Sequence, residues 1–566
     1  MRPSGWYDRH PAGACAIFVI RFLPEGRAVE LDGPTDVFQA AAACGILLEL
    51  PCAGFARCGH CRVRVTEGAA EVSEADQDAL EPDELREGWR LACALTLRDA
   101  AVVEVPRAVR STSLKGFGAA AVPDASRVPM FALGPAGGRA TLGLAVDIGT
   151  TSLAAALVDL GTGASVKTGS VRNPQAEFGA DVMSRIHAAG RDAQSRRPLM
   201  LAVRRGVAAL ASGLLRDAGA AAADVVAATV VGNPAMLHFW YGEDAWGLGV
   251  APYAGRWTAA LETRAEVVGM PFEPRVPVYV FPCVKSHVGA DAVAAAVAVG
   301  MDDRDSPALL VDLGTNSEIV LSDGDRVFAA STAAGPAFEC GGITCGMRAE
   351  EGAIDALRLE PDGRWSAHVI GDARPQGLCG SGLLDAVAEL LRTGVVEPGG
   401  SLCRGGRDHD SVPDSTDQQP VQSARPRSVA IVEAGGDSLG ISLDATDVRR
   451  LQLAIGAVRA GIEVLCADAG VAAADLETVF VAGTFGQYVR KASLLRLGLL
   501  PPVQPERVRT VGNAAGAGAV LALLDRRVRE RAEGLAGRAR YVELAGRRDY
   551  EEALLRSLRF PTASEG

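Results

Sequence analysis

In a chain of 566 residues with 12 cysteines, three fall within ten positions in "PCAGFARCGHCRVRV", residues 51–65. Cys52, Cys58 and Cys61 follow the spacing C-x5-C-x2-C, and Cys93 in "WRLACAL" adds a fourth thiol after 31 intervening residues. Three thiolates on one loop and a remote fourth are the ligand pattern of a plant-type [2Fe–2S] cluster, C-x4-C-x2-C…C, with one extra loop residue. Ala53, Gly54 and Gly59 leave room for backbone N–H groups to approach cluster sulfurs. Such donors help set a cluster's potential. Four-cysteine zinc is the main rival, but structural zinc prefers two paired C-x2–4-C units, and only Cys58 and Cys61 form one. His60 alone does not supply the histidine pair of a Rieske centre and reads as an exposed loop residue. Cys15, Cys44, Cys283, Cys340, Cys345, Cys379, Cys403 and Cys466 are scattered and read as buried or incidental thiols.

A second chemistry is written twice. "VDIGTTS" begins at residue 146 and "VDLGTNS" at residue 311, each a β-rich run that turns at Gly-Thr. A strand ending in Asp and followed by Gly-Thr makes a tight turn whose N–H and hydroxyl groups can cradle phosphate. Gly149, Thr150 and Thr151 form the first such turn, and Gly314, Thr315 and Asn316 the second. Asp147 and Asp312 are expected to face one another across a cleft, holding Mg²⁺ or orienting an attacking water. One D-x-G-T turn alone would be an ordinary β-turn; two matched copies argue for a duplicated domain. A third segment, "VFVAGTFGQYV" at 479–489, ends a strand at Gly483, Thr484 and Phe485, where adenosine can pack against exposed backbone. No G-x4-G-K-[ST] is present, so a Walker-type site is not supported.

The elements that must position these residues fall into zones. Residues 1–106 read as two short strands around "PEG", a helix over "PTDVFQAAAACG", the cysteine loop and a closing strand "AAVVEVP". Residues 107–140, rich in Gly, Ala, Pro and Ser, read as a linker. From 141 onward strands alternate with long helices, the α/β signature, divided as 141–300 and 301–566 with a polar insertion near 398–428. Hydrophobic residues make up 48% and charged residues 22%, which describes a globular chain. Its 57 Lys and Arg against 69 Asp and Glu give a net charge of -12, which argues against a nucleic-acid or anionic-membrane surface. No 18-residue apolar run and no secretory pattern stand out, so the expected compartment is the cytoplasm.

The cysteine segment, with its extra residue before Cys58, resembles the adrenodoxin-like branch of [2Fe–2S] ferredoxins over roughly residues 15–106. That resemblance implies a β-grasp fold. The twin turns and the Gly483 segment resemble the acetate and sugar kinase, heat-shock chaperone and actin superfamily, with "VGNAAGAGAVLALL" as its second connecting helix. That likeness implies two RNase H-like (actin-type) halves closing over ATP and Mg²⁺. The fold class expected is therefore α+β and α/β multidomain: a β-grasp ferredoxin domain, a linker and a duplicated RNase H-like ATPase domain.

The chain as a whole resembles the reductive activators of corrinoid proteins. The supporting stretches are "NPQAEFGADVMSRI", "VVGNPAMLHF", "STAAGPAFECGGITCGM" and "GLCGSGLLDAV". The resemblance implies an ATP-hydrolysing iron–sulfur enzyme that reduces Co(II) to Co(I) in a corrinoid methyltransferase protein. An external low-potential electron donor and a homodimer are implied with it. Three other readings compete. One is an activator of a different low-potential metalloenzyme, whose [4Fe–4S] cluster would bridge a dimer. Another is a redox-sensing ATP-binding regulator, and the last a sugar kinase with a fused reductase.

Overall fold

The computed structural model describes residues 18–24, 26–31, 33–37, 40, 41, 46, 61–106, 141–403, 428–432, 440–483 and 489–562. The expected linker at 107–140, most of the polar insertion, His60, Cys52, Cys58, Thr484 and Phe485 lie outside them.

The N-terminal sheet is built from β1 (Phe18–Leu23), β2 (Arg27–Leu31), β3 (Arg62–Glu67), β4 (Trp89–Leu91) and β5 (Ala101–Glu104) in the order β2-β1-β5-β3-β4. Strand β1 alternates as its sequence dictates: Ile20 and Phe22 are fully buried while Val19 and Arg21 face out. It pairs antiparallel with β2 and parallel with β5, the mixed arrangement of a β-grasp sheet. Thr35 and Asp36, expected at a helix start, instead bridge to Thr96 and Leu97, and helical residues begin at Val37. Two short helices unread in the sequence, α1 (Glu74–Ala79) and α2 (Pro82–Arg86), fill the connection from β3 to β4.

Two six-stranded sheets follow. The first contains β6 (Leu142–Ile148), β7 (Ser152–Asp159), β8 (Ser165–Arg172), β9 (Val225–Gly232), β10 (Leu261–Arg264) and β11 (Pro277–Val280), ordered β8-β7-β6-β9-β11-β10. The second contains β12 (Ala308–Asp312), β13 (Ser317–Ser322), β14 (Val327–Thr332), β15 (Thr478–Ala482), β16 (Val508–Gly512) and β17 (Arg540–Tyr541), ordered β17-β14-β13-β12-β15-β16. In chain order the first sheet runs third-second-first-fourth-sixth-fifth and the second sixth-third-second-first-fourth-fifth, so each joins an antiparallel meander of its first three strands to a parallel fourth. In both halves a 25-residue helix joins the third strand to the fourth: α4 (Ala193–Asp217), after α3 (Val182–Ala189), and later α8 (Ala445–Ala469). Helix α4 is long and apolar enough to cross a membrane by composition, yet its Leu199, Val203, Val207, Leu210 and Leu214 are buried in the first core.

Between the sheets lie α6 (Ala290–Ala298) and α10 (Ala514–Leu524); α5 (Pro234–Tyr241) packs on α4 and β9, and α7 (Gly380–Arg392) on α9 (Lys491–Arg496). Helix α10 packs on β6, β7 and β9 of the first sheet, and α6 touches both sheets. Helices covered on nearly every side need small apolar residues all round, and "ADAVAAAVA" and "AAGAGAVLALL" supply them. Contact is closest at Gly518, where a β-carbon would run into the Ala294 carbonyl oxygen.

Candidate functional site

Each phosphate-type turn is braced by its neighbours, and in the first half by asparagines. Gly149 N–H donates to the Ser152 carbonyl at 3.0 Å, and a β-carbon on Gly149 would stand 2.7 Å from that oxygen, so the turn requires glycine. Asn173 Nδ2 donates to the Gly149 carbonyl at 2.7 Å. Asn233 caps α5 by accepting from Met236 N–H, and its Nδ2 donates to Thr150 Oγ1 at 2.9 Å. Asn513 does the same at α10: its Oδ1 accepts from Gly516 N–H, and its Nδ2 donates to Asp147 Oδ2 at 2.8 Å. In the second turn Gly335 N–H donates to the Thr315 carbonyl at 2.9 Å. Gly483 N–H donates to the Gly512 carbonyl at 3.0 Å, and a β-carbon there would stand 2.5 Å from the Leu313 carbonyl oxygen. The end of β15 thus lies against the second turn. Asn316 is half-buried beside it.

The two turns meet. Thr151 Oγ1 and Thr315 Oγ1, 164 residues apart in the chain, stand 3.4 Å from each other. Both hydroxyls donate to Glu339 Oε2, Thr315 at 3.1 Å. Behind them Asp147, Asp291, Asp312 and Glu318 share one region at the strand ends. Burial pushes the Asp147 carboxyl up to about 6, against the bond from Asn513. Burial, then the Asp291 and Asp147 charges, pushes Asp312 up to about 8. Asp291 and Glu318 are raised by burial and by neighbouring carboxylates of the same group. Each carboxylate here makes the next harder to ionise, a repulsion that a bound cation relieves. Among the described residues no three His, Cys, Asp or Glu side chains stand close enough to ligate one ion directly. Several carboxylates in one region, each resisting ionisation, fit a divalent cation.

Asp291, Glu318, Glu339, Asn233 and Asn513 were not singled out in the sequence. The repeated Val-Gly-Asn at 231–233 and 511–513, each opening a helix, was a signal for two of them. Asp291 was another, as the lone acid starting an Ala-rich helix.

In the N-terminal sheet, Arg62 pairs with Leu91 across β3 and β4, and Ala92 N–H donates to the Cys61 carbonyl at 2.8 Å. This register brings Cys61 Sγ and Cys93 Sγ to 3.2 Å, well beyond the roughly 2.0 Å of a disulfide. Cys61 is buried and Cys93 half-buried. Two of the four proposed ligands thus converge as a shared metal centre requires. Asp76, fully buried, fixes the approach: Oδ1 accepts from Leu91 N–H at 2.7 Å, and Oδ2 accepts from Ser73 N–H and Oγ at 2.8 Å each. Asp76→Ala leaves Leu91 N–H without its acceptor two residues before Cys93, at a cost of about 2 kcal/mol. The variant is expected to lose its visible cluster absorbance at a lower temperature than the wild type. Identical bleaching curves would contradict this positioning.

Comparison with known proteins matches three family models. Residues 21–98 match a 2Fe-2S iron-sulfur cluster binding domain. Residues 142–304 match the RACo middle region, and 306–565 the C-terminal domain of RACo, the ASKHA domain. The chain belongs to the RACo family. Among RACo relatives it is 35% identical over 392 residues to the corrinoid activation enzyme RamQ of Eubacterium limosum, covering 68% of this chain and 64% of that protein. It is 27% identical over 402 residues to the [Co(II) methylated amine-specific corrinoid protein] reductase of Methanosarcina barkeri, covering 63% and 66%. The chain thus spans just under two thirds of the length of each of these relatives. A solved structure, a reductive activator for corrinoid,iron-sulfur protein, superposes with a TM-score of 0.69 at 26% identity, covering 96% of this chain and 98% of that one.

Proposed function

We propose that this RACo-family protein restores oxidised corrinoid proteins to their working state, passing one electron to Co(II) to give Co(I), with ATP binding and hydrolysis driving the transfer. One observation carries the reading: cluster domain and two-turn nucleotide cleft occur in one chain, in the order of a solved corrinoid activator that matches it nearly end to end. A [2Fe–2S] cluster held by Cys52, Cys58, Cys61 and Cys93 would supply the electron, at a potential near roughly -400 mV. Each 100 mV of uphill transfer costs about 2.3 kcal/mol per electron, within what a nucleotide-driven change between two states can supply.

The chain's own residues divide the remaining work. Gly149, Thr150 and Thr151 on one turn and Gly314, Thr315 and Asn316 on the other bind the phosphates from both sides. Gly483, with Thr484 and Phe485, seats the adenosine. Asp147 and Asp312, joined by Asp291, hold Mg²⁺ through its waters and fix the triphosphate. The chain carries no flavin or nicotinamide motif, which supports an external low-potential donor. A homodimer rests on the family resemblance.

The experiment is anaerobic incubation of the reduced protein with a corrinoid methyltransferase protein in the Co(II) state, with and without MgATP. The expected result is Co(I) absorbance that grows only with MgATP. Absence of Co(I) under both conditions would overturn the proposal.

A further inference from the structure

Glu339 is the one carboxylate, among the described residues, touched by both nucleotide turns, and its own segment is built to hold it there. Gly335, at φ 76, opens the short turn Pro336–Glu339, and Cys340 closes it at φ 61. Cys340 N–H donates to the Ala337 carbonyl at 3.0 Å, and Gly341 N–H to the Pro336 carbonyl at 2.8 Å. Ala337 and Phe338 are buried in the second core, and the Gly335 bond to Thr315 ties the turn to the second hairpin. From this anchored base the Glu339 side chain reaches across the cleft to Thr151, 188 residues away in sequence.

Its partners are the groups assigned above to phosphate: the Thr151 hydroxyl, the Thr315 hydroxyl and the Thr315 backbone. The carboxylate thus holds an anion's place between the turns. An arriving triphosphate competes for those donors and repels the carboxylate, while the pinned turn keeps Glu339 beside the terminal phosphate. The aspartates do not suit this role. They repel one another behind the turns and, in the function proposed above, would hold the cation through its waters.

We propose that Glu339 activates the hydrolytic water: nucleotide binding breaks its bridge between Thr151 and Thr315 and leaves its carboxylate facing the γ-phosphate. The water oxygen attacks the γ-phosphorus while its proton passes to the Glu339 carboxylate. The bond from that phosphorus to the β–γ bridging oxygen breaks, and its electron pair leaves on ADP. No further reactant is needed. Burial raises the proton affinity of Glu339, against the bonds from Thr151 and Thr315 and the nearby Arg185 charge, which suits a group that must accept a proton.

This inference rests on the ATPase reading of the cleft. Its test is Glu339→Gln, which preserves volume and an oxygen that still accepts from both threonines. Expected results are MgATP binding within about 2-fold of wild type and hydrolysis lowered by about 100-fold or more. The acidic limb of the wild-type pH–rate profile should vanish, and Glu339→Asp should recover part of the rate. The intact cluster spectrum reports folding. Turnover by Glu339→Gln within about 5-fold of wild type, with an unchanged pH profile, would overturn the inference alone. So would a loss explained wholly by weaker MgATP binding. A wild-type protein that binds no ATP would overturn the ATPase reading together with it.

Discussion

Cys93→Ala is expected to lower Co(I) formation by more than about 100-fold, since removal of even an outer-shell group around a metal costs 10–100-fold and Cys93 is proposed as a direct ligand. The geometry behind this is the 3.2 Å approach of Cys93 to Cys61, made by the β3–β4 register and the Ala92–Cys61 backbone bond. Alanine keeps that backbone and removes only the sulfur. The cluster domain has its own core, with Ile20, Phe22, Val63, Leu91 and Val103 fully buried, separate from the two cores of the nucleotide domain. Nucleotide binding measured on the same sample is therefore expected to persist and shows that the rest of the chain has folded. Iron analysis and visible spectroscopy check the cause: a variant with full iron and a wild-type spectrum would remove Cys93 from the ligand set.

Asp312→Asn is expected to act in opposite directions on activity and stability. Losing one carboxylate from the Asp147, Asp291 and Asp312 group weakens the hold on Mg²⁺ and should lower ATP turnover by about 100-fold, in the range of losing one electrostatic contact to a transition state. The same change removes a charge that the fold resists. Asp312 rises from 3.8 to about 8 on folding, so the folded chain holds a proton that the unfolded chain releases. Its contribution to stability is complete below pH 3.8 and is lost as pH rises towards about 8. Metal-free Asp312→Asn should therefore melt higher than wild type at pH 9, by about 3–8 °C, and by progressively less as pH falls towards about 4. Asp312 is partly open to water, which keeps that gain modest. Saturating MgATP should narrow or reverse the difference, because only the wild type gains fully from the cation. Equal melting of both metal-free proteins at pH 9 would contradict the repulsion on which the proposed cation site rests.

What the sequence made legible follows from the range of each interaction. Both "VD-x-GT" turns could be read because Gly149 and Gly314 satisfy a local backbone need, and their repetition signals duplication. The cysteine motif was readable because three of its members fall within ten positions of the sequence. Glu339 carried no comparable mark in "PAFECGG", since its position depends on Gly335 bonding to Thr315 and on Thr151 approaching from the other half. Asn513 went unread although it closes the repeated Val-Gly-Asn, because its bond to Asp147 joins residues 366 positions apart. Asp76 and α1 went unread because a six-residue helix has too little periodicity to stand out from a loop. Sheet order, third-second-first-fourth in each half, is set by contacts between distant strands, and no local pattern announces it.

The central claim is that nucleotide turnover and electron delivery are one process. The measurement that tests it most directly follows ATP hydrolysis and Co(I) formation together, in one anaerobic mixture of the reduced protein and a Co(II) corrinoid methyltransferase protein. The account predicts that the corrinoid protein stimulates ATP hydrolysis, that Co(I) appears in step with ADP, and that ADP alone gives no Co(I). Co(I) appearing equally fast without ATP, with hydrolysis indifferent to the corrinoid protein, would contradict it.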